Sequence, residues 1–128
     1  MAAIAVIGLL MAGSLRVAAH ARYVSAVGRY RTLERYYDEG RATLRRCVEE
    51  SHALMEARLA LCITTAGQVD VIKGHLARSC SLIKQELNQE PSCHDQREIE
   101  ASEAQEVLDV ARSRLKRLAG SGETRAPE

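Results

Sequence analysis

The chain contains no phenylalanine and no tryptophan among its 128 residues, and this restricts how it can build a core. Large aromatic side chains usually dominate the energetics of buried cores. Here burial must come from leucine, isoleucine, valine, methionine and alanine, a set typical of helix bundles and coiled coils. Only two prolines interrupt the chain, Pro91 and Pro127. The composition therefore predicts an all-α protein.

The start of the chain is apolar and lacks acids. Residues 2–15 carry no charge, and residues 16–33 contain four arginines and no aspartate or glutamate. A helix over residues 2–15 spans about 21 Å, whereas a bilayer core is roughly 30 Å thick. Extension past Arg16 to residue 21 supplies the missing length, with the arginine reaching one interface. We predict a membrane anchor or a signal segment at residues 1–21.

Besides a membrane anchor, three interpretations of this segment stay open. The tripeptide Ala19-His20-Ala21 fits the small-x-small pattern of a secretory cleavage site. An arginine-bearing start without acids is also typical of mitochondrial import. The third alternative is an ordinary buried helix at the start of a helical bundle.

Residues 22–119 are predicted to form a helical or coiled-coil body. Between residues 22 and 64, apolar side chains recur at intervals of three, four and seven, which predicts one long amphipathic helix. This stripe is the predicted interaction face for a second copy of the chain or another protein. Its members are Leu33, Tyr37, Leu44, Val48, Met55 and Leu59.

Two further helices are predicted after the long one, in a hairpin or coiled-coil arrangement. Breaks are expected near residues 65–68, where Gly67 can end a helix, and near 88–92, where Pro91 disfavours helix at the residue before it. The polar residues 120–128 are predicted to be a disordered tail.

The four cysteines have positions compatible with an antiparallel hairpin. Facing residues in such a hairpin have a nearly constant sum of residue numbers; the sum is 140 for Cys47 with Cys93 and 142 for Cys62 with Cys80. These pairs are the candidate disulfides. Bridges between two chains and free thiols that pack as small hydrophobes are the alternatives.

The cysteine layout over residues 47–93 loosely resembles the twin-cysteine helical hairpins of the mitochondrial intermembrane space. Here 14 and 12 residues separate the cysteines within each half, a spacing much longer than in those proteins. In its overall layout, an N-terminal anchor followed by two helical segments, the chain also resembles the inner-membrane spanins of phage lysis systems.

No pattern in the chain points to catalysis or to a cofactor. The net charge of +1 gives no signal for nucleic-acid binding. Cys93 and His94 are adjacent and would point apart on a helix, which disfavours a nucleophile–base pair. Together with His75 and Cys80 they lack the spacing of a zinc site. We therefore expect no enzyme activity, no cofactor, no metal and no small-molecule substrate.

The expected function is that of an accessory, tethering or assembly subunit of a membrane complex, with membrane and protein partners. A spanin-like lysis or envelope-fusion factor and a secreted disulfide-stabilised binding protein are the alternatives. An even number of cysteines favours an oxidising compartment, whereas arginines after the apolar segment favour the non-translocated side. We predict the body on the oxidising side (periplasm, extracellular space or mitochondrial intermembrane space), with the cytosol as the alternative.

Overall fold

The computed structural model describes the backbone of residues 2–88 and 94–123, and the side chains of residues 13–88 and 96–120. Over these residues the chain is all-α, and this prediction is confirmed. Four helices are described and pack against each other: α1 (Ala2–Asp38), α2 (Leu44–Leu59), α3 (Thr65–Leu87) and α4 (His94–Glu123).

The predicted long helix over residues 22–64 is wrong, because a turn separates α1 from α2. Gly40 adopts a left-handed conformation with a φ of 73°, which glycine takes without the steric cost of a Cβ. Its N–H donates to the carbonyl of Tyr37 (3.0 Å), and the N–H of Arg41 donates to the carbonyl of Tyr36 (2.7 Å). These two bonds form a Schellman motif, which satisfies the last carbonyls of α1 and ends the helix.

A threonine caps the start of each of the next two helices. The Thr64 Oγ1 accepts a hydrogen bond from the N–H of Gly67 (3.1 Å), and Thr43 caps α2 in the same way. The break between α2 and α3 therefore occupies residues 60–64, slightly before the predicted position at 65–68. Gly67 lies inside the first turn of α3, where a Cβ would come within 3.1 Å of the capping hydroxyl.

Helix α4 extends further than predicted. Residues 120–123 are helical, although the predicted tail begins at residue 120. A glycine such as Gly120 weakens a helix by about 1 kcal/mol, which does not by itself end it. The rest of the predicted tail, residues 124–128, and part of the predicted break at 88–92 lie outside the described residues.

Helices α2, α3 and α4 pack on one another, and α1 packs along α2. Helices α2 and α4 run parallel: Arg45 pairs with Glu103 (3.7 Å), and eleven residues further along both helices Glu56 pairs with Arg114. The α2–α3 loop at residues 60–64 and the last turns of α4 therefore share one end of the body, which we call the loop end. The opposite end, at the α1–α2 turn, is the turn end.

The core contains two apolar clusters at different levels of the α2–α3–α4 bundle. Leu44 and Leu108 are fully buried members of the cluster nearer the turn end. Met55 and Ile72 are fully buried members of the cluster nearer the loop end. Burying a side chain of this size contributes roughly 1.5–3 kcal/mol. The body therefore has an apolar core built by its own helices.

Candidate functional site

Helix α1 runs antiparallel to α2 and extends past its end. The Cys47 Sγ lies 3.9 Å from the carbonyl oxygen of Leu33. Closer to the loop end, the Arg58 guanidinium lies over the ring of Tyr23, 5.1 Å from its centroid. The residue numbers of these facing pairs sum to 80 and 81, so Leu59, the last residue of α2, lies opposite residue 21 or 22 of α1. The earlier part of α1 lies beyond the end of α2.

The part of α1 that leaves the body is apolar and exposed. Ala19 is still buried, whereas residues 13–18 are all exposed. Leu15 and Val17 keep 67% and 71% of their surface accessible. A single exposed apolar residue is common, but Leu15 ends the uncharged segment that begins at Ala2, and Val17 follows it directly after Arg16. Contiguous exposed apolar surface is typical of membrane or protein interaction sites.

The predicted anchor at residues 1–21 falls largely outside the described side chains. The backbone of α1 is helical from Ala2 onwards. In the portion of the chain whose side chains are described, no helix combines the length and the apolar character needed to cross a bilayer. Attachment through the first residues therefore stays a prediction.

The stripe predicted as an interaction face is mostly buried inside this chain, and binding of a partner through it stays a prediction. Leu44, Val48 and Met55 are fully buried. Because the turn after α1 folds the chain back on itself, the stripe packs on neighbouring helices of the same chain. Apolar periodicity shows that a stripe is buried but does not show which chain buries it. The whole stripe is Leu33 and Tyr37, both half-buried, with the buried Leu44, Val48, Met55 and Leu59.

The hairpin register predicted from the cysteines is also wrong. The Oγ of Ser51 lies 2.8 Å from the Nδ1 of His75, so facing residues of α2 and α3 have numbers that sum to about 126. The pair Cys62 and Cys80 sums to 142, and the structure places Cys62 in the loop and Cys80 well along α3. Both are free thiols, as is Cys47.

The second predicted bridge, Cys47 with Cys93, is not tested because Cys93 lies outside the described residues. Cys47 is buried, and burial raises the pKa of its thiol to about 11, with a further contribution from Glu34. At neutral pH the side chain is therefore the protonated thiol. Thiolates carry the nucleophilic chemistry of cysteine, so Cys47 acts in this fold as a small core residue.

A polar layer crosses the core between the two apolar clusters. The Nδ1 of the fully buried His75 lies 2.8 Å from the Oγ of Ser51 and 3.4 Å from the Oγ of Ser79. The Nε of Arg78 donates to the Ser51 hydroxyl at 3.4 Å. The ring of His52 stands edge-on to that of His75, with 5.5 Å between centroids. Polar groups that must meet inside a core fix the register between helices, here between α2 and α3.

His75 is held neutral by its surroundings. Burial is the main cause that lowers its pKa to about 4, with smaller contributions from the neighbouring His52 and Arg78. Its Nε2 has no hydrogen-bond partner among the described residues, and neither has the Nδ1 of His52. A hydroxyl beside an imidazole is the arrangement of a nucleophile and its base. However, Ser51 and His75 have no exposed surface, so a substrate would reach them only if the helices separated.

A second polar cluster joins three helices at the turn end. The Tyr37 hydroxyl donates to the carboxylate of Glu86, which is 8% exposed. Burial and this carboxylate raise the pKa of the tyrosine. Glu100 on α4 lies beside Glu86, and its pKa is raised by burial and by the charge of Glu86. These contacts connect α1 to α3 and α4, while a groove of about 400 Å³ beside them opens to solvent.

Sequence reasoning missed the polar layer. Ser51 stands at a gap in the apolar stripe of α2, and His52 follows it as a lone histidine, so neither gives a periodicity signal. The signal that could have found the layer is that Ser51, His75 and Ser79 all occupy core positions of amphipathic helices, where a polar group needs a partner. Among the described residues, no three histidine, cysteine or acidic side chains are placed to hold a metal ion. Of the zinc candidates weighed, Cys93 and the His94 side chain lie outside the described residues.

No protein-family model, no curated protein and no solved structure matches this chain. Its function must therefore be argued from its own features. Two of them distinguish it: an internally packed helical body, and a helix, α1, whose exposed residues 13–18 lie beyond that body.

Proposed function

We propose that this chain is a small, non-enzymatic, membrane-associated protein. In this proposal the apolar start of α1 enters the lipid phase, and the helical body acts as an accessory, tethering or assembly subunit of a membrane complex. The observation that carries the proposal is the exposure of α1 beyond the level of Ala19, with Leu15 and Val17 open to solvent. Among the described residues the core begins at Ala19, so residues 13–18 are open to another partner.

The energetics of the segment support a lipid partner. Residues 2–15 contain seven large aliphatic side chains and no charge. Each such side chain contributes roughly 1.5–3 kcal/mol when it is transferred from water to an apolar phase. Arg16, which is exposed, follows at the level where headgroups would lie. Arginine at this position is typical of the boundary between a membrane segment and its flank.

The body is connected to this segment as a continuous helix. Helix α1 runs unbroken from Ala2 to Asp38, and the second half of α1 packs along α2. The Nε of Arg29 pairs with a carboxylate oxygen of Glu50 at 3.5 Å, and Tyr37 binds Glu86 on α3. A helix fixed at several levels holds the body at a defined distance from the membrane, which suits a tether or an assembly subunit.

The alternative of a secreted, disulfide-stabilised binding protein gains less support. Such a protein would depend on bridges for part of its stability. Cys47, Cys62 and Cys80 are free thiols in the structure. The membrane proposal does not depend on any bridge.

Vesicle flotation of the full chain tests the proposal. The double variant Leu15→Asp/Val17→Asp is expected to reduce binding to lipid vesicles by roughly a hundredfold or more. It removes apolar side chains that lipid would otherwise bury, and it adds two charges. Helix content and the melting temperature of the body should stay close to those of the wild type, since both positions lie outside the core.

The matched control is Ile99→Asp, which places a charge at an apolar side chain that is 54% exposed on α4 near the turn end. This variant should float with vesicles as the wild type does. A wild-type chain that does not float with vesicles, or a double variant that floats as well as the control, would contradict the proposal.

A further inference from the structure

The charges of the body are distributed unevenly between its two ends. Among the described residues, the loop end carries eight basic and two acidic side chains, whereas the turn end carries eight basic and nine acidic ones. The net charge of the whole chain, +1, conceals this separation. The loop-end set comprises residues 13–24, 54–74 and 110–120; the turn-end set comprises residues 29–50, 79–88 and 96–105.

The basic residues of the loop end come from different helices and point into solvent. Arg22 on α1, Lys73 on α3 and Lys116 on α4 are all exposed. None of the three forms an ion pair with another described residue, whereas Arg114 is partly neutralised by Glu56. The three charges arise from three helices: Arg22 and Lys116 lie level with the end of α2, and Lys73 lies about 9 Å nearer the middle of the body by the α2–α3 register.

An exposed apolar residue lies at this same end. Ile63, in the loop between α2 and α3, keeps 83% of its surface accessible. A lone exposed isoleucine carries no argument by itself. An exposed apolar residue at an end with an excess of lysine and arginine is, however, a combination that interfacial membrane-binding surfaces use.

The loop end is also the end from which the apolar start of α1 leaves the body. Since residue 21 or 22 faces the end of α2, Arg16 lies only about 9 Å further along the helix axis. If residues 2–15 enter lipid, the loop end is brought to within about one Debye length of the headgroups, roughly 10 Å at 0.1 M salt. At that distance salt screens the attraction between its charges and the membrane surface only in part.

We propose that the loop end is a docking surface for anionic lipid headgroups. This inference rests on the membrane attachment proposed above and adds the lipid class that the body recognises. The apolar segment would provide attachment to any bilayer, while the basic surface selects bilayers with negative charge and orients the body with its turn end away from the membrane.

Binding of the full chain to vesicles of phosphatidylcholine, with and without phosphatidylglycerol, tests the inference. The wild type is expected to bind the anionic vesicles more tightly, with a preference that falls as salt is added. The variant Arg22→Gln/Lys73→Gln/Lys116→Gln should reduce that preference by up to about a hundredfold, since one base near an anionic surface contributes about fivefold. Its binding to neutral vesicles should be unchanged.

A matched control removes the same number of positive charges from the turn end. Arg31, Arg35 and Lys84 are exposed there, and the variant Arg31→Gln/Arg35→Gln/Lys84→Gln should keep most of the preference for anionic vesicles. All six positions are exposed, and circular dichroism should show wild-type helix content in both triple variants.

The outcomes separate this inference from the proposed function. A wild type that binds neutral and anionic vesicles equally overturns the inference and leaves the membrane attachment standing. Equal losses of preference in the two triple variants also overturn it, because net charge and not the loop end would then be responsible. A wild type that binds neither kind of vesicle overturns both.

Discussion

The substitution Leu44→Asp is expected to unfold the body. Leu44 has no exposed surface and packs with Val48, Ile83 and Leu108 in the cluster nearer the turn end. A carboxylate at this position would be buried without a partner, and the cavity and the desolvated charge together cost more than about 4 kcal/mol. Domains of this size have total stabilities of about 5–15 kcal/mol. Loss of most helical circular dichroism at 25 °C, or a large fall in the denaturant midpoint, is the expected measurement.

This substitution also tests whether Leu44 is buried within one chain, as in the structure, or lies on a face that binds a second chain, as the apolar periodicity predicted. If Leu44 lay on a face that binds a second chain, the variant would stay folded and only dissociate. Size-exclusion chromatography combined with circular dichroism separates the two results. The variant Leu15→Asp/Val17→Asp is the matched control, since it adds charge at positions 67% and 71% exposed and should leave the body folded. A folded, cooperative Leu44→Asp monomer would contradict the packing described here.

The stability of the body is expected to fall as the pH drops from about 6.5 to 4. His75 has a folded-state pKa of about 4, against about 6.5 in an unfolded chain. Between these values the unfolded chain binds a proton that the folded chain excludes, so the free energy of unfolding rises with pH in this window. The slope is about 1.4 kcal/mol per pH unit, which amounts to roughly 3 kcal/mol over the window. Above pH 6.5 this contribution is fully present.

Other ionisable groups also contribute to the pH dependence of stability, so a variant is needed to assign the effect. Glu100, whose pKa is raised, contributes with the opposite sign, because its protonation relieves repulsion from Glu86. In His75→Asn, the free energy of unfolding is measured by urea titration at several pH values. Its dependence on pH should weaken by the equivalent of about one bound proton. His20→Asn, which removes an exposed side chain outside the core, should retain the wild-type dependence. An unchanged slope in His75→Asn would contradict the assignment.

The helical class of the fold could be predicted because composition and periodicity act locally. The stripe through Leu44, Val48 and Met55 identified the buried face of α2 correctly. The stripe could not identify the surface that covers this face, since any apolar surface can bury it. The turn after α1 was missed for a similar reason. Gly40 stands where the stripe has a gap, and only the Schellman hydrogen bonds to Tyr36 and Tyr37 show that the helix ends there.

The register between α2 and α3 could not be derived from the cysteines. Their nearly constant sum of residue numbers is compatible with a hairpin, but free thiols place no constraint on pairing. The register is instead set by the contact of Ser51 with His75 and by the packing of Met55 on Ile72. Contacts of this kind join residues more than fifteen positions apart, and one sequence gives no direct signal of which pairs meet.

The central claim is tested most directly by measuring how deeply a fluorescent residue near each end of the body enters the bilayer. The chain has no tryptophan, so a single introduced one reports its own surroundings. Leu15→Trp and Ile99→Trp place it on exposed positions of α1 beyond the loop end and of α4 near the turn end. With vesicles that carry brominated acyl chains, the fluorescence of Leu15→Trp should be strongly quenched and that of Ile99→Trp should not. Quenching of Ile99→Trp to the same extent, or of neither variant, would contradict a body held on a membrane by the apolar start of α1.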